Sequence, residues 1–442
     1  MSEADYLEAF RSEQGSLGAQ LPDWVMALRL SALGRFERAG FPDPRHEEWR
    51  YTNIRPIVKK AFKPAGDALA PLEVGVLDQH RLGVDSAVEL VFVNGRLHAG
   101  LSQMHGLPEG VVVEDLSTAL RNRGEALEPL LGQIANDRES SFVALSTAFL
   151  RDGVFVGLAP GCVLERPIKL LFVSTREAQP VVCHPRILFH GEANSQATVI
   201  EHYAGVEGSA SFTNTVTELA LESGARLEHY KIQRESTQAY HIGSLHVRQM
   251  RDSSLRSHNV NLGGRLVRND LNIGLMEPGA EVLLNGLFMA GGRQHVDNHT
   301  RVHHAAPHTR STEEYRGILD DHARGVFKGR VLVERGAQRI EAHQTSANLV
   351  LSDGAEVDTK PELEIYADDV VCSHGATVGQ LDEQSLFYLR SRGLDDKTAR
   401  GLLTFAFAGE VISRIGEQSI RDRLEEVIVG RLPDHERLRE FV

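Results

Sequence analysis

Two stretches of this sequence hold residue types that could do chemistry. The first is His295, Asp297, His299, His303, His304 and His308. Side chains alternate between the two faces of a strand, so His295, Asp297, His299 and His303 would share one face. Imidazole and carboxylate at alternating strand positions can ligate zinc or iron, as in a cupin-like metalloenzyme. The competing reading is a polar ladder, each side chain bonded to the next turn of the fold. The second stretch is Asp368-Asp369-Val370-Val371-Cys372-Ser373-His374-Gly375. On a strand, Cys372 and His374 project to the same face, where an imidazole can lower a thiol's pKa and share a metal with it. Its plainer alternative is a small buried Cys beside a hydrogen-bonded His. There is no Walker motif, nucleophile elbow or dinucleotide fingerprint. Gly263-Gly264 and Gly291-Gly292 are turn glycines, because neither leads into a helix with Lys-Ser/Thr.

Both stretches fall in a region of short strands. From 153 to 381 helical periodicity fades and Gly or Asp turns take over. Between 265 and 275, Val267, Leu271, Ile273 and Leu275 alternate with Arg268, Asp270 and Asn272, the period of a half-buried strand. Phe327, Val331 and Val333 alternate likewise with Lys328, Arg330 and Glu334. The pairs Gly224-Ala225, Gly279-Ala280, Gly336-Ala337, Gly354-Ala355 and Gly375-Ala376 are separated by 55, 57, 18 and 21 residues. Those gaps suggest β-solenoid turns of roughly 20 residues, with Gly at corners of positive φ. A β-sandwich would also show short strands and Gly turns.

Helices flank the strand region. Residues 1–152 form a helical and mixed unit: Leu7 and Phe10 on one helix, Pro22 opening a second with Trp24, Leu28 and Phe36 on its face. A linker follows at 61–75, then a strand at Leu90–Asn94 and a short helix at 139–150. Residues 382–442 are helical again. Asp382 caps a helix that stops at Gly393, and Asp395 or Asp396 caps the next. Leu402, Ala406, Gly409 and Ile412 make the apolar stripe of that second helix. Phe405, Phe407 and Val411 lie off the stripe and leave apolar surface for a partner. A last helix carries Ile420, Leu424, Val427 and Ile428.

Composition sets the outer limits. The 442 residues are 41% hydrophobic and 25% charged, an ordinary globular balance. The net charge of −13 argues against broad nucleic-acid affinity, which needs cationic surface. No apolar run approaches the roughly 18 residues of a membrane helix. The acidic start MSEADYLEAF has no signal-peptide pattern, so a soluble cytoplasmic protein is expected. Cys162, Cys183 and Cys372 are too dispersed for a disulfide framework.

Several runs carry a resemblance. They are Glu341-Ala342-His343-Gln344-Thr345, AEVDTKPELEIYADD at 355–369, CSHGATVG at 372–379, LFYLRSRG at 386–393 and EWRYT at 48–52. Together they closely resemble the SufB/SufD family of iron–sulfur cluster assembly proteins. The resemblance covers most of the chain, is strongest from about 295 to 412 and leans to the SufD branch. CSHGATVG and LRSRG point that way, as does the lack of the N-terminal cysteine cluster found in many SufB proteins.

The resemblance implies a mainly β fold: a right-handed parallel β-helix flanked by N-terminal and C-terminal helical segments. It implies a scaffold rather than an enzyme, with SufB and the ABC-type ATPase SufC as partners and ATP hydrolysis assigned to SufC. The C-terminal helices would contact SufC, giving a use to Phe387, Arg390, Phe405, Phe407 and Val411. His374 matches the family histidine that supplies a ligand to a nascent iron–sulfur cluster shared with SufB; Cys372 ranks below it. No cofactor is expected on the isolated chain, and a flavin on the complex stays open, as do the sulfur donor and the recipients. A metal-dependent enzyme using His295 to His308, or a structural homodimer pairing solenoid edges, are the alternatives.

Overall fold

The computed structural model of the chain describes residues 2–17, 21–66, 72, 74–104, 106–135, 138 and 140–441. From Gly153 to Gly379 the chain winds as a parallel β-solenoid of about eight coils, each giving one strand to each of two sheets. Strands that precede residue 153 extend those sheets. Val88–Val93 runs parallel to Ile168–Ser174, and Val111–Asp115 runs antiparallel to Gly153–Leu158. In the first half of the linker, Lys63–Pro64 pairs with Val181–Cys183. Residues 67–71 and 73 of that linker lie outside the described residues.

The register corrects the expected turn length. Gln196 pairs with Arg226, Arg226 with Ser254, Ser254 with Glu281 and Glu281 with Arg310, so a coil here takes 27 to 30 residues. The gap of 55 between Gly224 and Gly279 is therefore two coils. The corner that leads into the second sheet has positive φ in successive coils, at Asn194, Gly224, Asp252, Gly279, His308 and Arg339. A side chain at Gly279 would run into Asp252 of the coil below, with its Cβ only 1.9 Å from the carboxylate, so from Asn194 to Gly279 this corner alternates a larger residue with glycine. Gly375 lies inside the strand Val370–Gly379 and is no corner.

Alternation places the core. In the first coils the inward positions are apolar, with Phe92, Phe172 and Tyr203 stacked along the axis. From Glu201 onward polar residues share these positions with apolar ones such as Leu271, Leu284 and Val302, and the polar ones bond one another, as buried polar groups must. His229 pairs with Glu201 (3.0 Å), and Asn269 donates to Asn261 and Asn298 (3.0 and 3.1 Å). The outward face of the first sheet is covered by N-terminal elements: Tyr6, Phe36, Trp49 and Phe142 pack on Phe212 and Tyr240. Arg268, expected on a solvated face, is consequently buried. The same packing rotates the face expected of helix Asp23–Ala39, which buries Val25, Arg29, Ala32 and Phe36 while Trp24 and Leu28 stay half-exposed.

The outward face of the second sheet carries the C-terminal helices Asp396–Ile412 and Gln418–Val429, with Ile412, Leu424 and Ile428 against Tyr230, Ile232 and Val260. Asp382 and Asp395 are the N-caps, accepting from the Ser385 and Thr398 amides. Gly393, at φ 96°, follows the first of these helices, Glu383–Ser391. The stripe expected for the second is out of phase. Ala406 is exposed, whereas Ala408, Val411 and Ile412 are buried. No described helix is long and apolar enough to cross a membrane.

Candidate functional site

The CSHG element closes the solenoid. Its strand, Val370–Gly379, pairs on one side with Ile340–Val350 and is the last strand of its sheet. The other edge is open, and Val371, Val378 and Tyr366 are exposed around it. His374 is exposed and stands in register with Gln344 of the coil below. The Gln344 amide is buried and donates to Glu313 Oε1 (3.1 Å), whose Oε2 accepts from the Thr300 hydroxyl (2.5 Å). His374 thus ends a polar column on the inward face of the solenoid. Cys372 shares that face, in register with Ala342 and half-buried against the apolar cluster that Ala342 belongs to. Burial pushes its thiol up, away from the thiolate form that binds iron. On the opposite face His343 Nδ1 and Ser373 Oγ lie 2.8 Å apart.

Burial also pushes the Glu313 carboxyl up to about 7, against the bonds from Thr300 and Gln344. The folded chain then holds this proton up to about pH 7, while the unfolded chain releases it near 4.5. Stability from this group therefore falls as pH rises from about 4.5 to about 7 and levels above that. Glu313→Gln is expected to remove this slope and to stabilise the chain at pH 8 by on the order of 3 kcal/mol. Urea unfolding at pH 5 and pH 8 checks it; equal stability of the two proteins at pH 8 would show that Glu313 is ionised without penalty.

The histidine-rich stretch forms the strand His295–His304, with His295, Asp297 and His299 on the outward face. They meet the segment that carries EWRYT. Thr52 donates to Asp297 Oδ2 (2.5 Å) and lies 2.8 Å from His295 Nε2. Arg268 donates to Asp297 (2.9 Å) and stacks on the Trp49 ring. His299 sits 3.0 Å from Asp297 and 3.4 Å from Glu48, which also holds Lys328 (2.8 Å). Burial would raise the Asp297 carboxyl, but the His299 and Arg268 charges outweigh it and hold it well below the usual range. For His299, burial and Arg268 push down, and Asp297 and Glu48 prevail to raise it. His304 is buried between Thr309 and Ser311, and His308 is a corner residue of positive φ. These groups use their bonding capacity on one another. Among the described residues no three His, Cys, Asp or Glu side chains are arranged to hold a metal ion, and the metalloenzyme reading loses its site.

On the C-terminal helices, Phe387 is 75% exposed, with Tyr388 and Arg390 exposed beside it. Phe405 and Phe407 are half-buried, the latter under the Arg316 guanidinium. Val411 is 1% exposed and packs inward, so it drops out of the partner-facing set.

Residues 172–407 match the SUF system FeS cluster assembly, SufBD core domain, and residues 1–170 match the SufBD protein N-terminal region. The chain belongs to the SufBD family. It is 35% identical to an iron–sulfur cluster assembly SufBD family protein of Synechocystis over 95% of this chain and 94% of that one. It is 29% identical to the iron–sulfur cluster assembly protein SufD of Escherichia coli over 91% and 92%. It is likewise 29% identical to the chloroplastic protein ABCI7 of Arabidopsis thaliana over 95% and 88%.

For a SufBD protein, three structural devices went unseen in the residue pattern. The EWRYT segment and the histidine strand are two halves of one junction, and only their separate oddness showed. Glu313 sits beneath the open end of the solenoid with no motif of its own. Glu218, fully buried, accepts from the Gly132, Ile134 and Ala135 amides and pins the N-terminal unit to the solenoid. Nothing in its flanking sequence marks it.

Proposed function

We propose that this chain is the SufD-type subunit of a scaffold that assembles iron–sulfur clusters. The terminal strand Val370–Gly379 pairs with a SufB-type partner, and His374 offers its imidazole to a nascent cluster at that interface. The carrying observation is the open strand edge with an exposed imidazole on it. An unpaired row of backbone donors and acceptors favours docking of another strand. An imidazole also suits a ligand that must later release its cluster, since it replaces thiolate on iron in known centres. Cys372 is a weaker second ligand.

The C-terminal helices dock a SufC-type ATPase. Phe387 supports this, because a large aromatic ring exposed on a capped, rigid helix is the kind of anchor that interfaces bury. Phe387→Glu is expected to abolish co-purification with the SufC-type protein while co-purification with the SufB-type protein persists. Equal recovery of the SufC-type protein with the variant would move the docking surface elsewhere. When the chain is alone, the same solenoid edge can pair two copies, so a homodimer in isolation fits this reading.

A further inference from the structure

We propose a second site: a pocket for a small oxyanion such as phosphate or pyrophosphate, formed by Arg234, His202, His80 and Arg423. It lies where the helix Gln418–Val429 crosses the outward face of the second sheet. His202 stands on the strand Gln196–Gly205 in register with Ile232, and Arg234 ends the neighbouring strand two residues further on the same face. Arg423 comes from the helix above. Its Nη2 donates to the Gln79 carbonyl (3.2 Å), which brings His80 to the same spot.

Four buried nitrogens here have no hydrogen-bond partner: Arg234 Nη1, His202 Nε2, His80 Nδ1 and Arg423 Nε. His202 is only 3% exposed. Ile200, Ile232, Leu82 and Leu424 form the apolar wall around them. Of the nearby carboxylates, one already pairs with the outer face of Arg423 and one is committed elsewhere. Glu426 holds Arg423 Nη1 (2.7 Å), and Glu89 is held by Lys169 and Arg81 (2.8 and 3.1 Å). Among the described residues, no carboxylate and no hydrogen-bond acceptor reaches the Arg234 guanidinium.

Arg234 is half-buried with its Nη1 sealed from solvent, and a desolvated cation without a counter-charge is unfavourable. Here the disfavour compounds: burial, then Arg423 and Arg431, push the Arg234 guanidinium down to about 10. Burial and Arg234 likewise keep His202 neutral, and its Nε2 donates in the tautomer that carries the proton there. A bound oxyanion would supply the missing negative charge and accept from all four nitrogens. Guanidinium groups favour phosphate for their fork of parallel donors. The cover over the pocket is this chain's own helix and the 79–82 segment, so the occupant must be small.

Calorimetric titration of the full chain with pyrophosphate, at ionic strength matched with chloride, tests the site. A single-site isotherm and a saturable rise in Tm are expected, because a ligand that binds only the folded state stabilises it. Arg234→Met should raise Tm in anion-free buffer, by removing the unpaired cation, and should weaken pyrophosphate binding by roughly tenfold or more. Should that variant fail to fold, Arg423→Gln is expected to show the same loss of affinity. No heat and no Tm shift with either phosphate or pyrophosphate would overturn the pocket. So would full affinity in the folded variants, which would place the binding elsewhere.

Discussion

Glu218→Ala is expected to destabilise the N-terminal unit by about 3–5 kcal/mol, the usual result of leaving a buried charge without its partner. Glu218 and Arg186 are both fully buried, with Arg186 Nη2 2.5 Å and Nε 3.0 Å from Glu218 Oε1. The same carboxylate accepts from the backbone amides of Gly132, Ile134 and Ala135 at 2.9 to 3.1 Å. Alanine would therefore strand a guanidinium and three N–H groups together. Both tryptophans, Trp24 and Trp49, lie in the N-terminal unit, so fluorescence-monitored urea unfolding reports directly on its detachment. The double variant Arg186→Met with Glu218→Leu separates the causes. Removing both charges should recover the ionic part, while each stranded amide still costs about 1–3 kcal/mol. Unchanged unfolding of Glu218→Ala would show that this anchor carries no load.

Where a feature was legible in the sequence, the determinant was local. Asp382 and Asp395 cap their helices because an Asp side chain reaches the amide three residues on, whatever the tertiary context. The strand around Leu271 declared itself by alternation within ten residues. The terminal strand showed itself through Cys372 and His374, two residues apart, and its placement followed.

The coil length was obscured by chemistry at the corners. Asn194, Asp252, His308 and Arg339 take the positive φ that glycine takes at Gly224 and Gly279. Asn and Asp tolerate that region well, so the glycine pattern marked only some of the coils. The stripe on helix Asp396–Ile412 was misread for a different reason. This helix is packed against the solenoid on one side and the terminal helices on another, with Gly401 in contact range of Leu438. A single amphipathic stripe does not describe a helix buried on two faces, and so Val411 points inward. The junction of Glu48 and Thr52 with Arg268 and Asp297 spans more than 200 residues of chain. Its partners are set by register, which no local window contains.

His374→Ala should leave the fold intact and remove cluster formation from the assembled complex. The side chain is exposed at an open strand edge, and surface truncations of this kind usually change stability by no more than about 0.5 kcal/mol. In the complex with SufB-type and SufC-type partners, anaerobic iron and sulfide reconstitution should give at least a tenfold lower cluster absorbance, roughly the scale seen when a metal site loses even an outer partner. Cys372→Ser is the internal control. Its thiol packs against the apolar cluster around Ala342 and is disfavoured as thiolate, so near-normal yield is expected. The pair decides between two geometries of the same strand. Loss with His374 alone places the ligand at the exposed end of the column above Gln344. Loss with Cys372 alone would require the last coil to open, since its thiol is half-buried against the coil below. Normal yield from both variants would leave the open edge as a docking surface and move the cluster ligands wholly onto the partner.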